Sequence, residues 1–186
     1  MTVWFKKWST EEHYNSKVKT FDVLDSYINS SPLSILDIGC GLAVESEMFQ
    51  KKYNSNLFLL DGDFDNTKDK KRDVNYGNVE TFKFYNKLDT LKESFDERNL
   101  KYTFVDATDI QLDNNIKFDL VYSIMSCGFH YPLNTYAKLI KNHTTSNSKI
   151  IIDIRNDTLN EQGCEFEILD KVYSGKKNTM YQIKFL

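Results

Sequence analysis

Ile35-Leu36-Asp37-Ile38-Gly39-Cys40-Gly41 is the stretch that decides the fold, because an apolar run ends there in two closely spaced glycines. The run begins at Leu33 and ends at Ile38, and its length and bounding turn residues predict a buried strand. Glycine has no β-carbon, so Gly39 and Gly41 allow the backbone to turn sharply and to approach a ligand closely. The stretch therefore predicts a strand that ends at a binding turn.

A helix and a second strand follow this turn. Residues 43 to 53 have a helical pattern, and residues 57 to 60 form another apolar run that ends at Asp61-Gly62-Asp63. Strand, glycine turn, helix and strand in this order make a βαβ unit, in which the two strands are parallel and the helix packs on the sheet. The chain is therefore predicted to have an α/β fold.

The pattern continues on both sides of this unit. Residues before the first strand predict a helix that Ser9 or Thr10 caps and that residues 30 to 32 end. Residues 63 to 83 are polar and weakly patterned, which predicts an extended loop or lid. The other predicted elements are a helix over 86–99, strands over 101–105 and 118–124, a helix over 133–142, a strand over 149–154, and two strands over 166–172 and 180–186 that form a hairpin. This order predicts three layers around a mostly parallel seven-stranded sheet with an antiparallel C-terminal hairpin.

Composition and charge narrow the class of protein. The chain has 186 residues, of which 40% are hydrophobic and 27% charged, as expected for a single globular domain over residues 1–186 with residues 1–30 as a helical cap. A net charge of −3 argues against a nucleic-acid partner, since nucleic-acid binders usually carry a basic excess. The sequence has neither a secretory h-region nor a membrane-spanning apolar run, which favours a cytoplasmic protein without membrane contact.

The cysteines give no indication of a metal site. The chain has three, Cys40, Cys127 and Cys164, and their wide spacing contains no Cys-x-x-Cys pair of the kind that binds zinc. We therefore expect no metal, and reduced thiols in a cytosolic setting. Cys40 is interpreted as a small apolar filler beside the glycines.

An acidic residue at the end of the second strand indicates a nucleoside ligand. Asp61 follows Gly41 by twenty residues, and a carboxylate in that place can accept hydrogen bonds from both ribose hydroxyls. A dinucleotide site would need a third small residue at position 44, because the pyrophosphate sits on the helix N-terminus. That position is Val44, and Ala43 comes one place early. The spacing therefore argues against an NAD-dependent oxidoreductase.

Residues 33 to 155 resemble the class I S-adenosylmethionine-dependent methyltransferases, which have a Rossmann-like fold. Asp37-Ile38-Gly39-Cys40-Gly41 is similar to their glycine-rich first motif, Asp61 to their ribose-binding acid, Asp106-Ala107 to their third motif, and Phe118-Asp119-Leu120-Val121 to their fourth-strand motif. Asp106 would face the adenine amino group, although the nearby Asp109 is an alternative. The resemblance implies S-adenosylmethionine as cofactor and a cofactor site made of Asp37, Gly39, Cys40, Gly41, Asp61, Gly62, Asp106, Ala107 and Ser123.

The segment after the fourth predicted strand bears on the methyl acceptor. Methyltransferases that act on nucleic-acid amino groups carry an Asn/Asp-Pro-Pro-Tyr/Phe element there, whereas this chain has Ser126-Cys127-Gly128-Phe129-His130-Tyr131-Pro132. That turn more loosely resembles bacterial and phage enzymes associated with O-methylation of sugars or other small molecules. The resemblance implies a small-molecule hydroxyl, for example on a sugar, as the acceptor. Two alternatives stay open: a protein or RNA methyltransferase, and an inactive protein that binds the cofactor.

Candidate catalytic residues lie in the same segment. The imidazole of His130 suits proton transfer near neutral pH, so His130 is a candidate general base, and Tyr131 could orient the acceptor. A packing role is the alternative for His130, and many enzymes of this fold use no base. Tyr85 and Asn86 could also reach the acceptor, although Asn86 could instead cap the following helix. Near the N-terminus, an aromatic cluster could pack on the sheet or cover the cofactor: Trp4, Trp8, His13 and Tyr14.

Overall fold

All the predicted helices and strands that lie in the described ranges form. In the computed structural model, which describes residues 10–28, 30–64 and 84–186, most of their ends lie within two residues of the predicted ends, whereas the first helix ends at Ser26, before the predicted stop at residues 30 to 32. The helices are α1 (Glu11–Ser26), α2 (Val44–Tyr53), α3 (Leu88–Glu97) and α4 (Asn134–His143). The strands are β1 (Ser34–Ile38), β2 (Asn56–Asp61), β3 (Tyr102–Asp106), β4 (Leu120–Ser123), β5 (Lys149–Arg155), β6 (Phe166–Ser174) and β7 (Asn178–Phe185), and a 3₁₀ turn spans Leu159–Glu161.

The strands form one seven-stranded sheet in the order β3-β2-β1-β4-β5-β7-β6. Strands β1 to β5 are parallel to one another. Strand β7 runs antiparallel to β5, and β6 runs antiparallel to β7. The predicted α/β class and the C-terminal hairpin are therefore confirmed. Chain order reverses between β1 and β4, and this is the place where open α/β sheets bind their ligands.

The sheet is covered on both faces, which gives the three predicted layers. On one face, Leu36 and Ile38 of β1 pack in a buried cluster that includes Tyr136 and Ile140 of α4. On the opposite face, Ile35 belongs to a second cluster, which also contains Leu24, Phe49, Leu91 and Phe95 from α1, α2 and α3. Side chains alternate across a strand, so neighbouring residues of β1 reach the two different clusters.

Helix α1 is anchored at its start and along one side. The Thr10 hydroxyl accepts a hydrogen bond from the His13 N–H at 3.3 Å, so Thr10 is the cap, one of the two residues predicted. The Phe21 ring meets the Phe49 ring of α2 edge-on at 4.8 Å. In the described ranges, no helix has the length and apolar character that a membrane span requires.

Parts of two predictions lie outside the described residues. They are most of the predicted loop or lid over 63–83, of which only residues 63 and 64 are described, and Trp4 and Trp8 of the aromatic cluster. Of that cluster, Tyr14 is described and is about half exposed.

Candidate functional site

A cavity of about 460 Å³ lies at the carboxyl ends of β1, β2 and β4, at the point where the strand order reverses. Four segments line it: the turn after β1, the end of β2, the segment after β4, and the residues just before α3. One side of α1 also lines it. Of the residues predicted to form the site, six line this cavity: Gly39, Cys40, Gly41, Asp61, His130 and Tyr131.

The turn after β1 has an unusual backbone. Gly39 has φ +73°, Gly41 has φ +50° and Ala43, which precedes α2, has φ +50°. These angles are in the left-handed region, which glycine enters without a steric penalty. A β-carbon on Gly39 would lie 1.9 Å from Ser126 Oγ, since the segment after β4 passes directly against the turn. Glycine is therefore required at position 39 by both its backbone angle and its neighbour.

Asp61 holds this turn to the end of β2. Its carboxylate accepts hydrogen bonds from the Gly41 N–H at 2.9 Å and from the Gly62 N–H at 2.8 Å. The Leu60 carbonyl accepts two more from the turn, including one from the Gly39 N–H at 2.7 Å. Burial raises the pKa of Asp61 to about 6, although the two amide hydrogen bonds act in the opposite direction. The carboxylate is thus mainly ionised at neutral pH and lies at the cavity wall.

Asp37 lies beneath the turn and is not among the cavity-lining residues. Its Oδ2 accepts hydrogen bonds from the Ser46 hydroxyl at 2.8 Å and the Tyr122 hydroxyl at 2.9 Å, and those two hydroxyls lie 2.6 Å apart. Burial, together with the nearby Glu45 carboxylate, raises the pKa of Asp37 to about 7. This network joins β1, α2 and β4. A direct contact between Asp37 and a cofactor stays a prediction.

Gly62 and Ser123 are also buried away from the cavity wall. A β-carbon on Gly62 would lie 2.2 Å from the Phe84 ring. The Ser123 hydroxyl donates to the Ile38 carbonyl at 2.9 Å and accepts from the Cys127 N–H at 2.8 Å. These contacts hold β4 and its following turn beside β1, so they position the site without lining it.

Asp106 and Ala107 lie beside Asp61 at the sheet edge but do not line the cavity. Asp106 Oδ1 accepts from the Thr108 N–H at 2.8 Å and from the Thr108 hydroxyl at 2.7 Å, and the Ala107 N–H donates to the Asp61 carbonyl at 2.9 Å. The alternative acid, Asp109, is exposed. Contact between Asp106 and an adenine group stays a prediction.

His130 and Tyr131 both line the cavity, as the sequence predicts. His130 Nε2 lies 3.4 Å from the Tyr85 hydroxyl, and their rings are 5.7 Å apart. The Tyr131 hydroxyl lies 2.8 Å from the Ser126 hydroxyl, and burial raises the pKa of the Tyr131 phenol well above its ordinary value. Tyr131 is therefore protonated at neutral pH and acts as a hydrogen-bonding group, not as a base.

Sequence reasoning missed most of one wall of the cavity, from which it named only His13, in the aromatic cluster that could cover the cofactor. Ser16, Lys17 and Thr20 of α1 line it together with His13, at the spacing that places residues on one helix face. Lys17 Nζ lies 3.0 Å from Oε1 of Glu45, whose side chain is only 4% exposed. The helical spacing of these polar residues was visible in the sequence, but a polar helix face is normally solvated.

Two buried side-chain oxygens in the described residues accept no hydrogen bond, and both belong to cavity-lining residues. They are Glu45 Oε1 and Asn86 Oδ1. The contact between Glu45 Oε1 and Lys17 has the distance of an ion pair but lacks hydrogen-bond geometry. Buried acceptors are nearly always satisfied, because leaving one unsatisfied is costly. Because both residues line the cavity, their oxygens are candidates to accept hydrogen bonds from a ligand.

After Ala43, Met125 is the second non-glycine residue of the described cavity wall with a left-handed backbone, at φ +53°. It lines the cavity, is 53% exposed, and its N–H donates to Asp153 Oδ2 at 3.1 Å. Asn178 Nδ2 also donates to the Asp153 carboxylate, and burial raises the pKa of Asp153. Strained backbone at a cavity wall is typical of functional sites.

The described residues include three cysteines and other side chains of the types that bind metals. All three cysteines are free thiols, and burial raises the pKa of the Cys40 and Cys127 thiols well above the ordinary value. Cys40 therefore stays protonated beside the glycines, which fits its interpretation as a filler. Within the described ranges, no three His, Cys, Asp or Glu side chains form a group that could hold a metal ion.

No protein-family model and no curated protein matches the sequence, whereas many solved structures match the fold. The protein PH0226 from Pyrococcus horikoshii OT3 superposes with a TM-score of 0.60 at 16% identity, covering 95% of this chain and 93% of its own. A methyltransferase from Pyrococcus furiosus superposes with a TM-score of 0.55 at 13% identity, covering 91% of this chain and 83% of its own.

The plantazolicin methyltransferase BpumL in complex with SAH gives a TM-score of 0.56 at 17% identity. It covers 84% of this chain, but this chain covers only 54% of BpumL. At these identities the comparisons show the fold. The chain has the Rossmann-like fold of class I methyltransferases, as its glycine-rich motif predicts.

Proposed function

We propose that the chain is an S-adenosylmethionine-dependent methyltransferase that acts on a hydroxyl of a small molecule. The observation that carries the proposal is the glycine turn, fixed by Asp61 at the reversal point of the sheet and facing a cavity of about 460 Å³. A cavity of this size is suited to a ligand of moderate size.

The residues at the turn fit the cofactor. Asp61 already accepts two amide hydrogen bonds, but each carboxylate oxygen has a further lone pair for a ribose hydroxyl. Gly39 and Gly41 leave room for close approach of the ligand to the backbone. Lys17 and Glu45 place opposite charges 3.0 Å apart at the wall, which suits the zwitterionic amino-acid end of the cofactor.

The bound cofactor would supply an activated methyl group on a sulfonium, so the protein mainly has to bind, align and exclude water. His130 lies at the wall formed by the segment after β4, where it can take the proton of an acceptor hydroxyl. Tyr131 can donate to the acceptor or orient it through the Ser126 hydroxyl. These roles are part of the proposal.

The proposal includes a cytoplasmic location. The three free cysteines suit a reducing compartment, since secreted proteins usually oxidise theirs. It also takes the acceptor as a small molecule, because the net charge of −3 gives the chain no general attraction for nucleic acid.

A methyl-transfer assay tests the activity. The chain is incubated with S-adenosylmethionine carrying a radioactive methyl group and with a panel of phenols, sugars and a protein extract, and the production of S-adenosylhomocysteine (SAH) is measured. We expect turnover with a hydroxylated small molecule and loss of turnover in Gly39→Ala. Turnover with the protein fraction alone would contradict the small-molecule acceptor, and cofactor binding without turnover in any fraction would support an inactive cofactor-binding protein.

A further inference from the structure

The described cavity wall divides into a charged end and an uncharged end. Its acidic and basic residues are Lys17, Glu45 and Asp61, which lie on α1, at the start of α2 and at the end of β2. Among the described residues, those at positions 84–86 and those after β4 contribute no Asp, Glu, Lys or Arg to the wall. Their lining residues are Phe84, Tyr85, Asn86, Ile124, Met125, Ser126, His130 and Tyr131.

Asn86 is the polar residue at the uncharged end that lacks a partner for its side-chain oxygen. It is 2% exposed, lines the cavity, and its Oδ1 accepts no hydrogen bond. The backbone of Asn86 is fixed, because its carbonyl accepts from the Phe64 N–H at 2.8 Å. A buried amide held in place in this way is ready to accept a hydrogen bond from a ligand.

The alternative role of Asn86, as the cap of the next helix, is wrong. Helix α3 begins at Leu88, and the Leu88 N–H donates to Asp63 Oδ1 at 3.0 Å. Asp63 thus takes the backbone amide that a capping side chain would take. The side chain of Asn86 is left facing the cavity wall.

Two aromatic side chains, Tyr85 and His130, line the same cavity as Asn86. The Tyr85 and His130 rings are 5.7 Å apart and the Tyr85 hydroxyl is 3.4 Å from His130 Nε2, which joins the segment before α3 to the segment after β4. Such a set of rings favours a flat ligand, which can stack on them or meet them edge-on.

We propose that Asn86 positions the methyl acceptor, and that the acceptor is an uncharged aromatic molecule whose hydroxyl donates a hydrogen bond to Asn86 Oδ1. The inference rests on the proposed function and narrows its acceptor from small molecules in general to phenol-type molecules. At this end the described wall offers no Lys or Arg to a carboxylate or phosphate of the acceptor, and no Asp or Glu to an ammonium, and burial of an unpaired charge is costly.

The test uses phenol, benzoate and methyl glucoside as probes with the whole chain saturated with SAH at pH 7.5. Ligand-observed nuclear magnetic resonance measures the affinity of each probe, and calorimetry measures the affinity of SAH. We expect phenol to bind and benzoate and methyl glucoside to bind at least about tenfold more weakly, since an unpaired buried charge or an unstacked ring is disfavoured.

Two variants test the residue itself. Asn86→Leu should weaken phenol binding by about tenfold, the effect of one lost hydrogen bond, and change SAH affinity less than about threefold. Asn86→Asp keeps the shape and adds a charge, so it should raise the affinity of benzylamine relative to phenol by about tenfold. Asn114→Leu is the control, at an exposed site outside the cavity wall, and should change neither phenol affinity nor SAH affinity. Melting temperatures show whether each variant folds.

Several results would overturn the inference. They are benzoate or methyl glucoside binding as tightly as phenol, phenol binding that is unchanged in Asn86→Leu, or an Asn86→Leu variant that folds and loses SAH instead of phenol. Failure of the wild-type chain to bind SAH would overturn the proposed function and the inference together, and the calorimetric arm distinguishes that case.

Discussion

The turn after β1 and the segment after β4 touch each other, yet they are built differently. The turn is held by hydrogen bonds that its backbone N–H groups donate to the Leu60 carbonyl and to the Asp61 carboxylate. Gly39 and Gly41 have left-handed backbone angles. The segment after β4 presents side chains, including the hydroxyl pair of Ser126 and Tyr131. A site made from backbone restricts the sequence to a few residue types, whereas a site made from side chains can vary with the ligand that it selects. In the proposed function, the first region binds the cofactor and the second binds the acceptor.

Gly39→Ala gives the strongest test of the backbone-built region. The added methyl group would lie 1.9 Å from Ser126 Oγ at a residue with φ +73°, so the turn must move. We expect about 3 kcal/mol of destabilisation from strain and overpacking, and at least about a hundredfold loss of SAH affinity. Thermal unfolding and calorimetry measure the two effects.

Ser126→Gly combined with Gly39→Ala separates the two causes. The double variant removes the steric neighbour but keeps the unfavourable backbone angle, so stability should return only in part. Ser126→Gly alone is the control. Wild-type SAH affinity in the single Gly39→Ala variant would contradict a cofactor role for the turn.

His130→Asn tests the side-chain-built region. If His130 takes the acceptor proton, turnover should fall by about a hundredfold, whereas SAH affinity should stay within about threefold of the wild type. Steady-state kinetics with a hydroxylated acceptor and calorimetry give the two numbers. An unchanged rate would remove His130 from catalysis and leave it as a wall residue beside Tyr85.

The pH dependence of SAH binding follows from Asp61. Burial raises its pKa to about 6, so the carboxylate is ionised above that pH and protonated below it. Protonation removes hydrogen-bond acceptor capacity, and we expect affinity to fall by up to about tenfold per pH unit below pH 6. Calorimetry between pH 5 and pH 8 measures this, and Asp61→Asn should flatten the profile. The same slope in Asp61→Asn would assign the effect to another group.

Ser126→Ala has the smallest expected effect. It keeps the β-carbon next to Gly39 and removes the hydroxyl that lies 2.8 Å from the Tyr131 hydroxyl. Loss of one such hydrogen bond should lower turnover by about three- to tenfold without changing SAH affinity. A larger loss of SAH affinity than of turnover would mean that the turn after β1 and the segment after β4 both contribute to cofactor binding.

The fold and the glycine turn were predictable from the sequence because both depend on local pattern. Buried parallel strands are continuous apolar runs, and the turn between β1 and α2 needs glycine at position 39, where φ is +73° and a β-carbon would meet Ser126. Asp61 was readable from its spacing to Gly41, and the structure links the two by a hydrogen bond of 2.9 Å. Such features stand a fixed number of residues apart along the chain.

The acceptor end was less readable because it depends on contacts between distant residues. Tyr85 and His130 are neighbours only after folding, and the sequence could not decide between a cap and a ligand contact for Asn86 because Asp63 lies earlier in the chain. Lys17 was missed because a lysine on a helix is usually solvated, and its partner Glu45 belongs to another helix. The roles of these residues depend on whether their side chains are buried, which the spacing of residues along the sequence does not reveal.

Calorimetric titration of the chain with S-adenosylmethionine, SAH and NAD, repeated with Asp61→Ala, tests the central claim most directly. We predict that both adenosyl ligands bind the wild-type chain, that NAD does not, and that Asp61→Ala loses at least about tenfold in affinity for both, since the variant removes an acceptor for ribose and two turn contacts. Binding of NAD in place of the adenosyl ligands, or full SAH affinity in a folded Asp61→Ala variant, would contradict the account.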